Sequence, residues 1–149
     1  MPPAKLELEL TESVLIDDTD RAVHILDDIR SIGVRLALDD FGTGYSSLSY
    51  LRRFPFDTLK IDRSFVTELL TKPDARAIVK MISDLAKELG KRTICEGVET
   101  VEQLELICAA GCDEVQGYLI SAPCALIDFP QALGPALNPH GQGKPADCP

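Results

Sequence analysis

No apolar run in this chain reaches the roughly 18 residues that a membrane-spanning helix requires. The first ten residues, MPPAKLELEL, lack the basic start and apolar stretch of a secretory signal. Both absences lead to the expectation of a cytoplasmic protein without a membrane segment. Basic clusters are missing as well. The 149 residues hold 15 Lys and Arg against 24 Asp and Glu, a formal charge of −9. Duplex nucleic acid, whose phosphates demand basic groups, is therefore not an expected partner. An anionic substrate would need bound cations. Histidine is scarce: His24 falls on a predicted surface helix and His140 in the tail. No serine or cysteine nucleophile with a histidine base can be read. The five cysteines, Cys95, Cys108, Cys112, Cys124 and Cys148, are odd in number and irregular in spacing. That argues against a disulfide framework and suits buried or idle thiols.

What remains is an ordinary globular composition, 45% hydrophobic and 26% charged, enough for one domain with a core. LELELTE alternates strictly and predicts a strand. Asp20 is a candidate N-cap for a helix from Arg21 to about Ile32, which Gly33 stops. VRLALDD predicts a second strand, Ser47–Arg53 a short helix and TLKID a third strand. Asp74–Leu89 carries one apolar stripe and predicts a long helix ended by Gly90. RTICEGVE predicts a fourth strand and its exit loop. Thr100 caps a helix that ends at Gly111, and DEVQGYL predicts a fifth strand. Residues 134–149 are rich in proline and glycine and are expected to form a disordered tail. The domain is thus expected over 1–133.

Strand, helix, strand, repeated, indicates an α/β fold with a parallel sheet of about five strands. Glu9, Asp39, Asp40, Lys60, Asp62, Glu96, Glu99 and Gln116 all fall at or just past the C-terminal ends of predicted strands. In parallel α/β folds that rim is where ligands bind.

An adjacent aspartate pair is in isolation most often a turn or a cap. The apolar LAL before Asp39 and Asp40 instead delivers them to the sheet rim, and Gly42 and Gly44 then allow backbone shapes other residues resist. Carboxylates gathered there repel each other unless divalent cations lie between them, and hard cations such as Mg²⁺ and Mn²⁺ prefer oxygen ligands. Lys60 and Asp62 are two apart and share a strand face. They form either a simple ion pair or, for Lys60, a holder of water or phosphate oxygen. Glu96 ends a strand, whereas Glu99 doubles as an acid at a helix start. This rim best suits metal-assisted hydrolysis of a phosphate ester.

LELELTES, DDFGTGYSSL, LKIDRSFV, CEGVET and QGY, in this order and spacing, closely resemble the EAL family of cyclic-di-GMP phosphodiesterases over about Pro2 to Phe129. The resemblance implies a modified TIM barrel that hydrolyses cyclic-di-GMP to linear pGpG with Mg²⁺ or Mn²⁺. By motif, Glu9, Asp39 and Asp40 resemble metal ligands and Asp62 lies beside them. Lys60 resembles the lysine that positions the catalytic water, Glu96 a further site acid and Gln116 a glutamine near substrate or water. Glu12 resembles the glutamate holding the active-site loop. That loop corresponds to Gly42, Thr43, Gly44, Ser46 and Ser47, and the family links it to dimerisation. Glu99 resembles a supporting acid. CEGVE has cysteine where the family usually has alanine. A TIM barrel typically needs about 250 residues. The Glu-Ala-Leu strand that names the family, and a later strand with a metal-binding asparagine, have no counterpart in these 149 residues. The expectation is therefore a partial barrel, from a gene fragment or an internal start, inactive by itself. Its parent would carry sensory or diguanylate cyclase (GGDEF) modules. The alternative is a catalytically dead cyclic-di-GMP-binding or protein-interaction module.

Overall fold

The computed structural model describes residues 2–11, 19–43 and 48–124. After a single 3-10 turn at Pro3–Lys5 the order is β1 (Glu7–Thr11), α1 (Thr19–Ser31), β2 (Arg35–Phe41), α2 (Leu48–Arg53) and β3 (Thr58–Ile61). Then come α3 (Arg63–Glu68), α4 (Pro73–Glu88), β4 (Arg92–Glu96), α5 (Val101–Ala110) and β5 (Glu114–Gln116). Glu12, Gly44, Ser46, Ser47 and the 134–149 tail lie outside the described residues.

All four strand pairings are parallel, and the spatial order β1-β2-β3-β4-β5 equals the chain order. A doubly wound sheet reverses its order at a switch point; this one winds in a single direction, as barrel strands do. Every strand therefore presents its C-terminal end on one rim. Among the described residues β1 and β5 each pair with a single neighbour.

The core explains why these segments settle where they do. β2 and β3 are central strands, and Leu36, Ala37, Leu38, Thr58, Leu59, Lys60 and Ile61 are all buried. Such two-sided burial replaces alternation in covered parallel sheets. α4 lays Ala75, Val79, Ile82 and Ala86 onto the sheet, while Ile78, Leu85 and Leu89 pack at the edge of the same core. Each such large side chain contributes about 1.5–3 kcal/mol when fully buried. On β1 the leucine face is less covered, with Leu8 43% exposed.

α5 begins with a complete capping box. Thr100 accepts from Gln103 N, and the Gln103 side chain accepts in return from the cap; Gly111 ends the helix in the left-handed conformation at φ 81°. α3 is absent from the sequence-based expectation, because six residues show too little periodicity to be read. It exists because Asp62 caps it, accepting a hydrogen bond from Ser64 N at 3.0 Å. Cys95, Cys112 and Cys124 are free thiols. Cys108 is disulfide-bonded, a correction to the expectation of idle thiols throughout.

Candidate active site

Strand alternation alone would send Asp39 and Asp40 to opposite faces. The register shows how both remain at the rim. Leu38 pairs with Leu59 and Phe41 with Ile61, so Asp39 and Asp40 on β2 together oppose Lys60 on β3. This is a β-bulge, the usual device for re-aiming a side chain at a site. Asp40 carries it at φ 55°, a left-handed conformation that aspartate tolerates better than most residues. Thr43 fixes the turn, donating from both its backbone N (3.3 Å) and its hydroxyl (2.9 Å) to Asp40 O. Gly42 follows at φ 98° beneath the Phe65 ring, where a Cβ would stand 3.0 Å from Phe65 Cε2.

Lys60 is the centre of the arrangement. Its side chain is 5% exposed, and its Nζ lies 2.6 Å from Glu96 Oε1, 2.8 Å from Glu9 Oε2 and 3.1 Å from Asp39 Oδ1. Three carboxylates from β1, β2 and β4 thus match the three donors of one ammonium. Burial by itself pushes the Lys60 pKa down. The hydrogen bonds it donates to Glu9, Glu96 and Asp39 outweigh it and raise the pKa above the usual lysine range. Lys60 is a permanent cation and a donor here, not a general base.

Asp40 has no share of that ammonium. Its carboxyl is held above the ordinary range, first by burial and then by the charges of Asp39 and Asp62, with Lys60 only partly offsetting them. Asp62 goes the other way. Burial pushes it up, but hydrogen bonds from Ser64 and the Arg63 backbone, with the Arg63 charge, hold it below the usual value.

Carboxylate oxygens of Asp39, Asp40 and Glu96 lie within 4.8 Å of one another. With Glu9, four acids face one ammonium, a formal surplus of three negative charges. Hard oxygen donors at this spacing, with a carboxyl already disfavoured as an anion, fit a divalent cation of the Mg²⁺ or Mn²⁺ type.

The remaining rim residues have traceable placements. Gln116 is exposed and pairs with Glu96 in the sheet, and its carbonyl accepts from Val98 N. Glu99 is exposed, and its N donates to Gln103 Oε1 at 2.8 Å. Gln103 was not singled out from the sequence, although Thr-x-x-Gln at 100–103 is a readable capping pattern. It is buried, and its Nε2 donates to Val66 O at 3.2 Å, tying the loop after Glu96 to α3. Gly117 is the centre of the QGY motif. A Cβ there would stand 2.2 Å from Val98 O, so nothing but glycine fits between the exits of β4 and β5.

The sequence profile of the EAL domain matches residues 1–123. This chain belongs to the EAL domain family. NbdA of Pseudomonas aeruginosa, a cyclic di-GMP phosphodiesterase, is 46% identical over 128 residues, which cover 86% of this chain and 16% of NbdA. The EAL fold of MucR, a bifunctional diguanylate cyclase/cyclic di-GMP phosphodiesterase of Pseudomonas aeruginosa, was solved as a c-di-GMP complex. It aligns at a TM-score of 0.82 and 43% identity, over 87% of this chain and 52% of that one. The manganese/cy-diGMP complex of Klebsiella pneumoniae BlrP1 aligns at a TM-score of 0.78 and 36% identity, over 83% of this chain and 32% of that one. The chain spans 14% to 20% of the length of curated relatives that it matches. Among the described residues no helix is long and apolar enough to cross a membrane.

Proposed function

We propose that this EAL chain carries the catalytic rim of a cyclic-di-GMP phosphodiesterase, which opens the cyclic dinucleotide to pGpG with Mg²⁺ or Mn²⁺. The observation that carries the reading is the unbalanced cluster of Glu9, Asp39, Asp40 and Glu96 around a single saturated ammonium at Lys60. Asp39, Asp40 and Glu96 would hold the cation, with Glu9 and Asp62 beside them. When bound it supplies the positive charge a phosphodiester transition state needs, and Lewis acidity toward water. The protein's own part is positioning. Lys60 fixes three carboxylates in one geometry. The bulge aims Asp40. Gln116 stands at the next strand end, facing substrate or water. By the family resemblance, Gly42, Thr43, Gly44, Ser46 and Ser47 would belong to the active-site loop, Glu12 would hold that loop, and the loop would contribute to a homodimer. Glu99 would support it from the start of α5. Attached sensory or GGDEF modules and a cytoplasmic location fit this reading.

The relatives' complete barrels set the scale of the test. Residues 1–123 would replace the matching part of the MucR phosphodiesterase, and pGpG release would be followed chromatographically. Turnover that EDTA abolishes is expected, falling at least about a hundredfold in Asp39→Asn or Glu9→Gln, since groups acting as a unit fail together. Residues 1–149 assayed alone are expected to stay near background, because the family's Glu-Ala-Leu glutamate and its metal-binding asparagine have no counterpart in them. A folded chimera with no turnover that still binds the dinucleotide would favour the binding-module reading.

A further inference from the structure

A cyclic dinucleotide brings two negative charges to a rim that already has too many. Lys60 cannot meet them: its three donors are taken by Glu9, Asp39 and Glu96. A side-chain cation beside the site would complement the metal in meeting them. Arg63, the first residue of α3, is exposed and directly follows Asp62. Among the described residues no carboxylate closes an ion pair with its guanidinium. Its stem is nonetheless held in place. Gly97 follows Glu96 directly, at φ 74°, and a Cβ on it would stand 2.7 Å from Arg63 Cβ, 3.5 Å from its Cα and 3.9 Å from its Cδ. The arginine stem therefore fills the space a side chain at position 97 would need. Arg63 sits between the exits of β3 and β4, with site acids Asp62 and Glu96 on its two sides.

We propose that Arg63 binds substrate. Its guanidinium takes a non-bridging phosphate oxygen of the cyclic dinucleotide, and Gly97 holds its stem for that contact. This rests on the phosphodiesterase reading and deepens it. A planar guanidinium can donate two parallel hydrogen bonds to a phosphate, which an ammonium cannot. Gly97 is accordingly a positioning residue, acting only through Arg63.

The test is calorimetric titration of residues 1–149 with cyclic-di-GMP in the presence of Mn²⁺, for the wild type, Arg63→Gln, Arg63→Lys and Gly97→Ala. Arg63→Gln should weaken binding at least about tenfold, the scale of a lost charge-assisted hydrogen-bonded pair. Arg63→Lys should recover part of it, and Mn²⁺ binding without dinucleotide should not weaken. In the wild type the dinucleotide should shield Arg63 from phenylglyoxal, read by mass spectrometry, which requires no variant to fold. Wild-type binding with Arg63→Gln unchanged and Arg63 unshielded would overturn the role of Arg63 and leave the phosphodiesterase reading standing. No dinucleotide binding either by residues 1–149 or by the folded MucR chimera would overturn both.

Discussion

The two ends of the sheet are built from the same residue types with opposite bookkeeping of charge. At the N-terminal end acids and bases alternate from strand to strand. Glu7 on β1 lies 3.7 Å from Arg35 on β2 and 3.6 Å from Arg92 on β4, and Arg92 reaches Glu114 on β5 at 2.7 Å. Asp57, just before β3, meets Arg30 at 3.2 Å and accepts from Leu36 N at 3.0 Å. Glu7, Asp57 and Glu114 are each met there by an arginine. At the C-terminal end three carboxylates converge on one lysine, and Asp40 beside them is left with like charges for neighbours. One end ties strands together; the other holds electrostatic repulsion that a ligand can relieve. Barrel enzymes divide stability and chemistry between their two faces in this sense.

The sharpest way to break this comparison is Lys60→Met. Glu9, Asp39 and Glu96 then lose their shared partner. Removing one side of a buried pair costs about 3–5 kcal/mol, and the partial exposure of the acids places the loss near the lower figure. Because what remains is an acid cluster, Mn²⁺ should restore part of the melting temperature, as mass action requires of anything that binds only the folded state. A Lys60→Met melt indifferent to Mn²⁺ would break the account of the rim.

Asp57→Ala at the opposite end should have a smaller effect, about 1–2 kcal/mol, from the orphaned Leu36 N–H and the lost Arg30 pair. Its melt should be the same with and without Mn²⁺. Arg92→Met should cost less still, under about 1 kcal/mol, since its ion pairs are 41% and 49% exposed on the Arg92 and Glu114 sides.

The pH dependence gives the finest distinction. The folded pKa of Lys60 lies above its ordinary 10.5. Its stabilising contribution is then fully present below about pH 10.5 and is lost as pH rises through the folded value. The stability gap between wild type and Lys60→Met, followed by denaturant titration, should stay level from neutral pH to about 10.5 and narrow only above it. A gap that closes near neutrality would mean that Lys60 is not the permanent cation described here.

Much of the rim was legible in the sequence because an α/β pattern fixes where strand ends go. Asp39, Lys60, Glu96 and Gln116 needed only the apolar runs before them to be placed. The bulge was not legible. Asp-Asp reads the same whether the second residue continues the strand or turns at φ 55°, and only the register against Lys60 decides. The number of partners of Lys60 was hidden for the same reason, since Glu9, Asp39 and Glu96 come from three separate strands. The simple Lys60–Asp62 pair gives way to three carboxylate partners for Lys60, while Asp62 turns instead to cap α3. The balanced end went unread altogether, because Glu7, Arg35, Arg92 and Glu114 meet only once the strands are in register.

The most direct test of the central claim is Mn²⁺ titration of residues 1–149, followed by the loss of the free-ion electron paramagnetic resonance signal. One saturable site is predicted, of modest affinity and displaced by Mg²⁺. It should weaken at least about tenfold in Asp40→Asn, the scale of one lost anionic ligand, and be unchanged in Asp57→Asn at the other end of the sheet. No saturable binding, or a site that survives Asp40→Asn and disappears in Asp57→Asn, would contradict the assignment of the acid-rich rim as the cation site.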